Sequence, residues 1–197
     1  MGGYLMNKFI VLEGGDGVGK STICEHLSER IEAMLIKTPG EIHSPIRSLV
    51  EGEAQPLAKF LYYLSSVKYA SDLVAAVLRD GPVVCDRYIW SSLVGYSVYS
   101  QRGVWDIKRE FQFIMDGLEI PNHTILLTVQ EGEQLRRIYE RNGEIMTGSD
   151  TLSYNQSSFR RMINNMYLEI AEREDWLVVD TSTKAIDDTL FEIMNVL

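Results

Sequence analysis

Residues 9–22 read Phe-Ile-Val-Leu-Glu-Gly-Gly-Asp-Gly-Val-Gly-Lys-Ser-Thr, a short apolar run that leads into a glycine-rich loop. The loop has the spacing G-x-x-x-x-G-K-[ST], and an amphipathic helical pattern follows it. Glycines allow backbone N–H groups to turn inward around phosphate oxygens, Lys20 adds a positive charge, and Ser21 offers a hydroxyl to Mg²⁺. The stretch therefore predicts a strand, a phosphate-binding loop and a helix that bind a nucleoside triphosphate. The residues that we expect at the nucleoside-triphosphate site are Gly14, Gly15, Gly17, Val18, Gly19, Lys20, Ser21 and Thr22.

Outward from this stretch, short apolar runs alternate with longer helical patterns along the whole chain. This alternation is typical of a parallel sheet that is covered by helices on both faces. The predicted strands are Lys8–Leu12, Ala33–Lys37, Pro82–Cys85, Thr124–Val129 and Trp176–Val179. We therefore predict one α/β domain over residues 1–197, a P-loop NTPase-type three-layer sandwich around a five-stranded parallel sheet.

Several helical patterns place apolar residues on one face, and we expect these faces to lie in the core. The faces comprise Ile23, Leu27 and Ile31; Leu57, Leu61 and Leu64; Phe159, Met162, Met166 and Ile170; and Ile186, Leu190 and Ile193.

Composition narrows the class of protein. The chain has 197 residues, of which 45% are apolar, enough for a substantial core. With 19 Lys and Arg against 28 Asp and Glu, the net charge of −9 disfavours nucleic acid or an anionic membrane as a partner. The two cysteines form no C-x-x-C pair, and no apolar run approaches the ~18 residues of a membrane helix. We expect a cytoplasmic protein without a membrane or nucleic-acid partner.

A second candidate site segment is Pro82-Val83-Val84-Cys85-Asp86-Arg87-Tyr88, a strand that ends in a carboxylate. Asp86 at that position can orient the water shell of Mg²⁺, and Arg87 can bind a second phosphate. The alternative is a helix cap with a solvated neighbour.

The third signal is a basic helix that leads into a polar segment, and we predict a lid at about residues 136–158. Arg137 and Arg141 are four residues apart, so they share a helix face and can reach a transferring phosphoryl group. The alternative is a solvated helix face followed by an ordinary loop. A signalling GTPase is disfavoured because no N-K-x-D motif follows the phosphate-binding loop.

These motifs together resemble those of the thymidylate kinase family of nucleoside monophosphate kinases, and the resemblance covers nearly the whole chain. The matching segments are the E-G-x-D-G-x-G-K-S-T loop at Glu13–Thr22, Thr38-Pro39-Gly40, the D-R-Y run at Asp86–Tyr88 with Ser91 and Ser92, Pro121-Asn122, the R-x-x-x-R pair Arg137 and Arg141, and the Y-L-E-L-A-like helix at Tyr167–Ala171. The resemblance implies transfer of the γ-phosphoryl group of ATP to a nucleoside monophosphate, with dTMP as the leading acceptor, and a homodimer.

The resemblance also implies roles for individual residues. Lys20 and Ser21 would bind ATP and Mg²⁺, Asp86 would hold the water shell of the metal, and Arg87 would bind the acceptor phosphate. Asp16 would contact the sugar hydroxyl of the acceptor. Because some members carry an Arg where Gly17 stands, the cation for the transition state would come from Arg137 and Arg141 instead. The implied acceptor-binding residues are Asp16, Tyr62, Arg87, Tyr88, Ser92 and Tyr96.

The acceptor side departs from the family pattern. Members pair an aromatic residue with an Arg four residues later, whereas the two registers here give Tyr62 with Ser66 or Tyr63 with Val67. Members also place an aromatic residue nine positions after the Asp of D-R-Y, against C2′ of the sugar, where this chain has Gly95. The alternatives are a paralogue that phosphorylates another nucleotide or small molecule, and a nucleotide-binding regulatory protein without turnover.

Overall fold

The computed structural model describes residues 7–142 and 155–197 and contains one five-stranded parallel sheet in these ranges. The strands are β1 Phe9–Glu13, β2 Met34–Lys37, β3 Val83–Asp86, β4 His123–Thr128 and β5 Leu177–Asp180. Their spatial order is β2-β3-β1-β4-β5, so β1 lies at the centre. The predicted fold class is confirmed, and each predicted strand lies within one residue of the observed one at both ends.

Helices cover both faces of this sheet. They are α1 Lys20–Arg30, α2 Ser44–Glu53, α3 Pro56–Val77, α4 Ile89–Ser100, α5 Val104–Glu110, α6 Gln112–Met115, α7 Glu131–Asn142, α8 Ser157–Arg173 and α9 Ile186–Met194. Side chains of β1 alternate between the faces. Ile10 and Leu12 pack with residues of α1 and α9, whereas Phe9 and Val11 pack with residues of α3. The result is a three-layer sandwich with apolar clusters on both sides of the sheet.

The strand register brings two predicted site segments together. In the parallel ladder, Leu12 of β1 lies opposite Asp86 of β3, and Lys37 of β2 lies opposite the same residue. The loops that leave β1 and β3 therefore emerge side by side at the carboxyl edge of the sheet. Ligands of open α/β sheets bind at this edge.

The buried face of α3 differs from the predicted one. Leu57 and Leu61 are 47% and 48% exposed, so the prediction that both belong to the core is wrong, although Leu64 is buried. The face that packs inward comprises Phe60, Leu64, Val67, Ser71 and Val74. Because α3 is apolar on more than one side, the spacing of its leucines does not identify its inner face. Met162 and Ile186 are likewise exposed rather than buried.

All three tryptophans of the chain lie together on the face of the sheet that α4 and α8 cover. The ring of Trp90 contacts Trp105 and Trp176 edge-on, with centroids 5.2 and 5.6 Å away. Lys108 lies 4.5 Å from the Trp90 ring, and Arg173 lies 4.0 Å from the ring of Trp105. Cation–π contacts thus border an aromatic cluster.

No helix in the described ranges is long and apolar enough to cross a bilayer. Of the predicted lid at 136–158, residues 143–154 lie outside the described residues. Residues 136–142 belong to the end of α7, and residues 157–158 belong to the start of α8.

Candidate active site

The phosphate-binding loop connects β1 to α1, as predicted, and its shape depends on glycine. Gly14, Gly17 and Gly19 have φ values of 141°, 80° and 91°, which L side chains rarely adopt. A Cβ atom on Gly17 would lie 2.9 Å from Ile138 Cγ1 and 3.0 Å from the carbonyl oxygen of Gln134. An arginine therefore does not fit at position 17, and any cation for the transition state must come from elsewhere.

Two helices brace this loop from the lid side. Gln134 of α7 donates from Nε2 to the carbonyl oxygen of Asp16 over 2.6 Å. Asn164 of α8 donates in turn from Nδ2 to Oε1 of Gln134 over 3.3 Å. Sequence reasoning missed both residues, since a single amide within a helix gives no local signal of a loop contact.

Lys20 begins α1 and is buried at the floor of the loop, with only 6% of its surface exposed. Its Nζ donates to the carbonyl oxygen of Gly15 over 2.5 Å. Burial, together with the neighbouring charge of Arg87, lowers the pKa of Lys20 to about 8, although Asp16 and Asp86 oppose this shift. A bound polyphosphate would add negative charge beside Lys20 and so stabilise its charged ammonium form.

Ser21 and Asp86 meet at the same edge of the sheet. The Ser21 hydroxyl donates to Oδ2 of Asp86 over 2.6 Å. The other carboxylate oxygen, Oδ1, is buried and has no hydrogen-bond partner among the described residues. A hydroxyl beside an unsatisfied carboxylate oxygen fits Mg²⁺, which takes few protein ligands and fills its octahedron with water and phosphate oxygens. Within residues 7–142 and 155–197, no cluster of three His, Cys, Asp or Glu residues offers another metal site.

Arg87 lies directly after β3 and points towards the phosphate-binding loop. Its Nη2 donates to Oδ1 of Asp16 over 2.6 Å, and its Nη1 donates to the Gly14 carbonyl and the Ser91 hydroxyl, both over 3.1 Å. Its backbone has a φ of 67°, and its carbonyl accepts a 2.9 Å hydrogen bond from Thr38 Oγ1. A left-handed non-glycine residue costs on the order of 1–3 kcal/mol, and such strain is typical of a residue whose side chain must be aimed.

The buried carboxylate of Glu13 lies close to Arg87 and shares a hydrogen-bonded neighbour, Ser91, with it. Glu13 accepts hydrogen bonds from the Ser91 hydroxyl over 2.5 Å and from the backbone N–H of Tyr88 over 3.0 Å. Burial raises the pKa of Glu13, while the hydrogen bond from Ser91 and the charge of Arg87 act in the opposite direction. The Tyr167 hydroxyl contacts the Ser91 hydroxyl at 2.9 Å. Glu13, Ser91 and Tyr167 thus fix the position of Arg87.

The three lid arginines have different environments. Arg136 is exposed and pairs with Glu133 and Glu140 on its own helix. Arg137 lines the central cavity and donates to both the hydroxyl and the carbonyl of Thr181, over 2.9 and 2.7 Å. Arg141 lines the same cavity. The structure thus places Arg137 beside Gly19 of the phosphate-binding loop and Arg141 on the wall of the same cavity, and leaves Arg136 on the surface.

One continuous cavity of about 810 Å³ joins these groups. It begins at Gly17, Lys20, Ser21 and Thr22, passes Asp86 and Arg87, and continues between α2, α3 and α4. Its size lies within the range of ligand-binding cavities in proteins, about 300–1,000 Å³. The phosphate end of the predicted site and the implied acceptor region thus share one space.

The acceptor residues implied by the resemblance do not all reach this cavity. Ser92 and Tyr96 line it, whereas Tyr62 and Tyr88 do not. The Tyr62 hydroxyl donates to the carbonyl of His43 over 2.8 Å, and Tyr63 takes its place on the wall. Tyr88 is buried against Phe9 and donates to the carbonyl of Glu119. The assignments of Tyr62 and Tyr88 are therefore corrected, because the inner face of α3 and the core under β3 determine where these rings point.

Gly95 lines the cavity, and a Cβ atom built on it meets nothing within 4 Å. The next residue, Tyr96, stacks its ring on Phe60, with centroids 4.5 Å apart and planes at 8°. The tyrosine ring is thereby held in the contact between α3 and α4. The wall beside Gly95 remains open.

The far end of the cavity holds polar side chains that the sequence did not indicate. Arg47 and Glu51 come from α2, Lys59 and Tyr63 from α3, and Tyr99 from α4. Lys68, the cation nearest to the expected base-binding position in the sequence, is exposed and pairs with Asp72 on its own helix. Val67, where one register would require an arginine, lies in the apolar core.

The fold and the site define a P-loop phosphotransferase of the nucleotide kinase type. The phosphate-binding loop lies between a strand and a helix, Lys20 is buried beneath it, and the Ser21–Asp86 pair and Arg87 lie next to it. A thymidylate kinase family model matches residues 12–193. The chain therefore belongs to the thymidylate kinase family, as the motifs indicated.

Individual relatives agree over nearly the full length. A probable thymidylate kinase of Methanococcus maripaludis is 30% identical over 195 residues, which cover 96% of this chain and 94% of the relative. A thymidylate kinase of Leifsonia xyli is 31% identical over 198 residues, covering 94% and 91%. The solved structure of thymidylate kinase from Candida albicans superimposes with a TM-score of 0.72 at 19% identity and covers 96% of this chain and 90% of its own. That last likeness concerns the fold.

Proposed function

We propose that this chain transfers the γ-phosphoryl group of ATP to dTMP and so forms dTDP. The observation that carries the proposal is the cavity in which Lys20, the Ser21–Asp86 pair and Arg87 face one another. Relatives with the name thymidylate kinase, 30–31% identical over nearly the whole chain, support dTMP as the acceptor.

The proposal gives each group a part in the reaction. Lys20 contacts the β- and γ-phosphates, and Arg87 binds the acceptor phosphate so that its oxygen faces the γ-phosphorus. Asp16 orients Arg87 and is the residue proposed for the acceptor sugar hydroxyl. Arg137 and Arg141 bring positive charge to the equatorial oxygens in the transition state, because Gly17 leaves no room for an arginine in the loop.

Ser21 and Asp86 are the residues that would hold Mg²⁺. Bound beside them, this cation would neutralise negative charge on the two outer phosphates of ATP. The unpartnered Oδ1 of Asp86 supports this assignment.

An ADP-release screen tests the function. ATP and Mg²⁺ are combined with dTMP, dUMP, UMP, CMP, AMP or GMP, with thymidine as an acceptor that lacks phosphate. We expect release with dTMP, little with thymidine, and none with the Lys20→Ala variant. If no monophosphate accelerates ADP release, the proposal is wrong.

We further propose that the protein is a single-domain cytoplasmic enzyme and a homodimer. Helices α2 and α3 expose apolar side chains at helical spacing, which supports a protein interface. These residues are Ile46 and Leu49 on α2 and Leu57 and Leu61 on α3, and the exposed Ile42 lies just before α2. Light scattering of the purified protein would give about twice the mass of the 22.4 kDa chain, and Leu57→Glu combined with Leu61→Glu would return the mass to that of one chain.

A further inference from the structure

The part of the cavity between α2, α3 and α4 contains a polar arrangement centred on Glu51. Its Oε1 accepts a hydrogen bond from Arg47 Nε over 2.8 Å and another from the Tyr63 hydroxyl over 2.5 Å. Its Oε2 accepts none from the described residues. All three side chains line the cavity. Glu51 is therefore held in place by two donors and presents a second oxygen for a further hydrogen bond.

The position of this carboxylate can be measured along α4. Ser91, at the start of the helix, contacts Arg87. Tyr99 lies eight residues later, a distance of about 12 Å at the helical rise of about 1.5 Å per residue. Lys59 lies 5.6 Å from the Tyr99 ring and donates from Nζ to the carbonyl of Glu51. A nucleotide whose phosphate contacts Arg87 would therefore extend its base along α4 towards Tyr99, Lys59 and Glu51.

The chemistry of the pair is selective between bases. A carboxylate only accepts hydrogen bonds, and a guanidinium only donates them. Thymine and uracil carry a ring N3–H between two carbonyl oxygens, so N3–H suits Glu51 and an adjacent carbonyl suits Arg47. In this register cytosine would place the lone pair of its unprotonated N3 against a carboxylate oxygen, and the base would have to shift for its N4 amine to donate to Glu51 instead. With N3 facing Glu51, the arrangement favours thymine or uracil over cytosine.

We infer that Glu51 is a specificity-determining residue that accepts the N3–H of the acceptor base, with Arg47 and Tyr63 as its positioning residues. This inference rests on the proposed function and adds the group that reads the base. It also gives the chain a group that reads the base, although neither Ser66 nor Val67 supplies the arginine of the family pattern.

The test compares dTMP with N3-methyl-dTMP on the wild-type protein and on Glu51→Ala. Loss of a hydrogen bond to a charged group is typically worth about tenfold to a hundredfold. We expect that loss in kcat/KM for wild type with the methylated acceptor, and for Glu51→Ala with dTMP. Methylation should then cost Glu51→Ala little more, because both changes remove the same bond. KM for ATP should not change.

Two further variants separate this role from a structural one. Glu51→Gln retains an acceptor oxygen and adds an N–H donor for N3 of cytosine, so the ratio of kcat/KM for dCMP to that for dTMP should rise at least tenfold. Glu53→Ala, an exposed neighbour on α2, is the matched control and should leave both acceptors unaffected. If N3-methylation is equally costly with and without Glu51, or if Gln leaves the base ratio unchanged, the inference is wrong. Absence of turnover in wild type with any monophosphate would instead refute the proposed function.

Discussion

Arg87 donates from Nη2 to Oδ1 of Asp16 over 2.6 Å, and this ion pair joins the end of β3 to the phosphate-binding loop. Both side chains are more than two thirds buried. The pair therefore sets the direction of the guanidinium before any nucleotide arrives, so that little side-chain entropy is lost when the acceptor phosphate binds.

Asp16→Asn should weaken this preorganisation without changing the shape of the side chain. We expect KM for the acceptor to rise about tenfold, since the charged hydrogen bond from Arg87 to Asp16 becomes a weaker neutral one, while the bonds to the Gly14 carbonyl and Ser91 remain. The free energy of unfolding should fall by about 1–2 kcal/mol in urea titrations. An unchanged acceptor KM would show that Arg87 does not depend on Asp16.

The pKa of Lys20, about 8, predicts a pH dependence of ATP binding. The ammonium form predominates at pH 7 and the neutral amine at pH 9, and only the ammonium attracts the triphosphate. The Kd for ATP should therefore rise about tenfold between pH 7 and pH 9, with proton uptake near pH 8. Calorimetry in buffers of different ionisation enthalpy measures both. Lys20→Arg remains charged over this range and should bind ATP without the pH dependence; a sloping profile in that variant would exclude Lys20 as the titrating group.

The lid arginines should differ in their effects. Arg141→Ala should lower kcat by about a hundredfold or more with little change in the Kd for ATP, because its charge acts on the transition state. Arg137→Ala should lower kcat and also weaken ATP binding, since Arg137 joins α7 to Thr181 beside Gly19. Arg136→Ala, on the outer face of the same helix, is the control. If Arg137→Ala and Arg141→Ala both keep wild-type turnover, these arginines have no catalytic role and only form a solvated helix face.

Gly95 should determine how strictly the acceptor sugar is selected. With open space beside it, a ribose 2′-hydroxyl meets no wall, so we expect kcat/KM values for dTMP and its ribonucleotide analogue within about tenfold of each other. Gly95→Val should lower kcat/KM for the ribonucleotide more than for dTMP. A strong deoxyribose preference that is lost in Tyr96→Ala would instead identify Tyr96 as the gate.

The parts of the structure that were predictable from sequence are those with local causes. The short apolar runs predicted the five strands, and the spacing of the glycines predicted the phosphate-binding loop, because both features depend on residues that are close together in the chain. The inner face of α3 was not predictable. Its leucines at 57 and 61 share a helical face, but the packing of Phe60 and Val67 against other elements decides the orientation. The same orientation of α3 places Tyr63 rather than Tyr62 on the wall of the cavity.

The residues at the base end of the cavity were missed for a related reason. Arg47 and Glu51 lie on α2, between the matched Thr38-Pro39-Gly40 segment and α3, where the spacing of charges suggests only an i, i+4 surface pair. Their proximity to Tyr63 and Tyr99 arises from tertiary packing. Family motifs did not find them, because the motif that reads the base elsewhere in the family is absent from this chain.

The position of Trp90, Trp105 and Trp176 in one aromatic cluster determines which changes in the protein tryptophan fluorescence can detect. None of the three indoles lines the nucleotide cavity, so their emission monitors the packing of α4, α5 and α8 over the sheet rather than the occupancy of the site. Tryptophan fluorescence, excited at the red edge of the ultraviolet absorption band, should therefore show one cooperative transition during denaturation. During titration with nucleotide the same fluorescence should change little. Observation of substrate binding by fluorescence would require an indole placed at the cavity, and Tyr99→Trp at its far end is a suitable position.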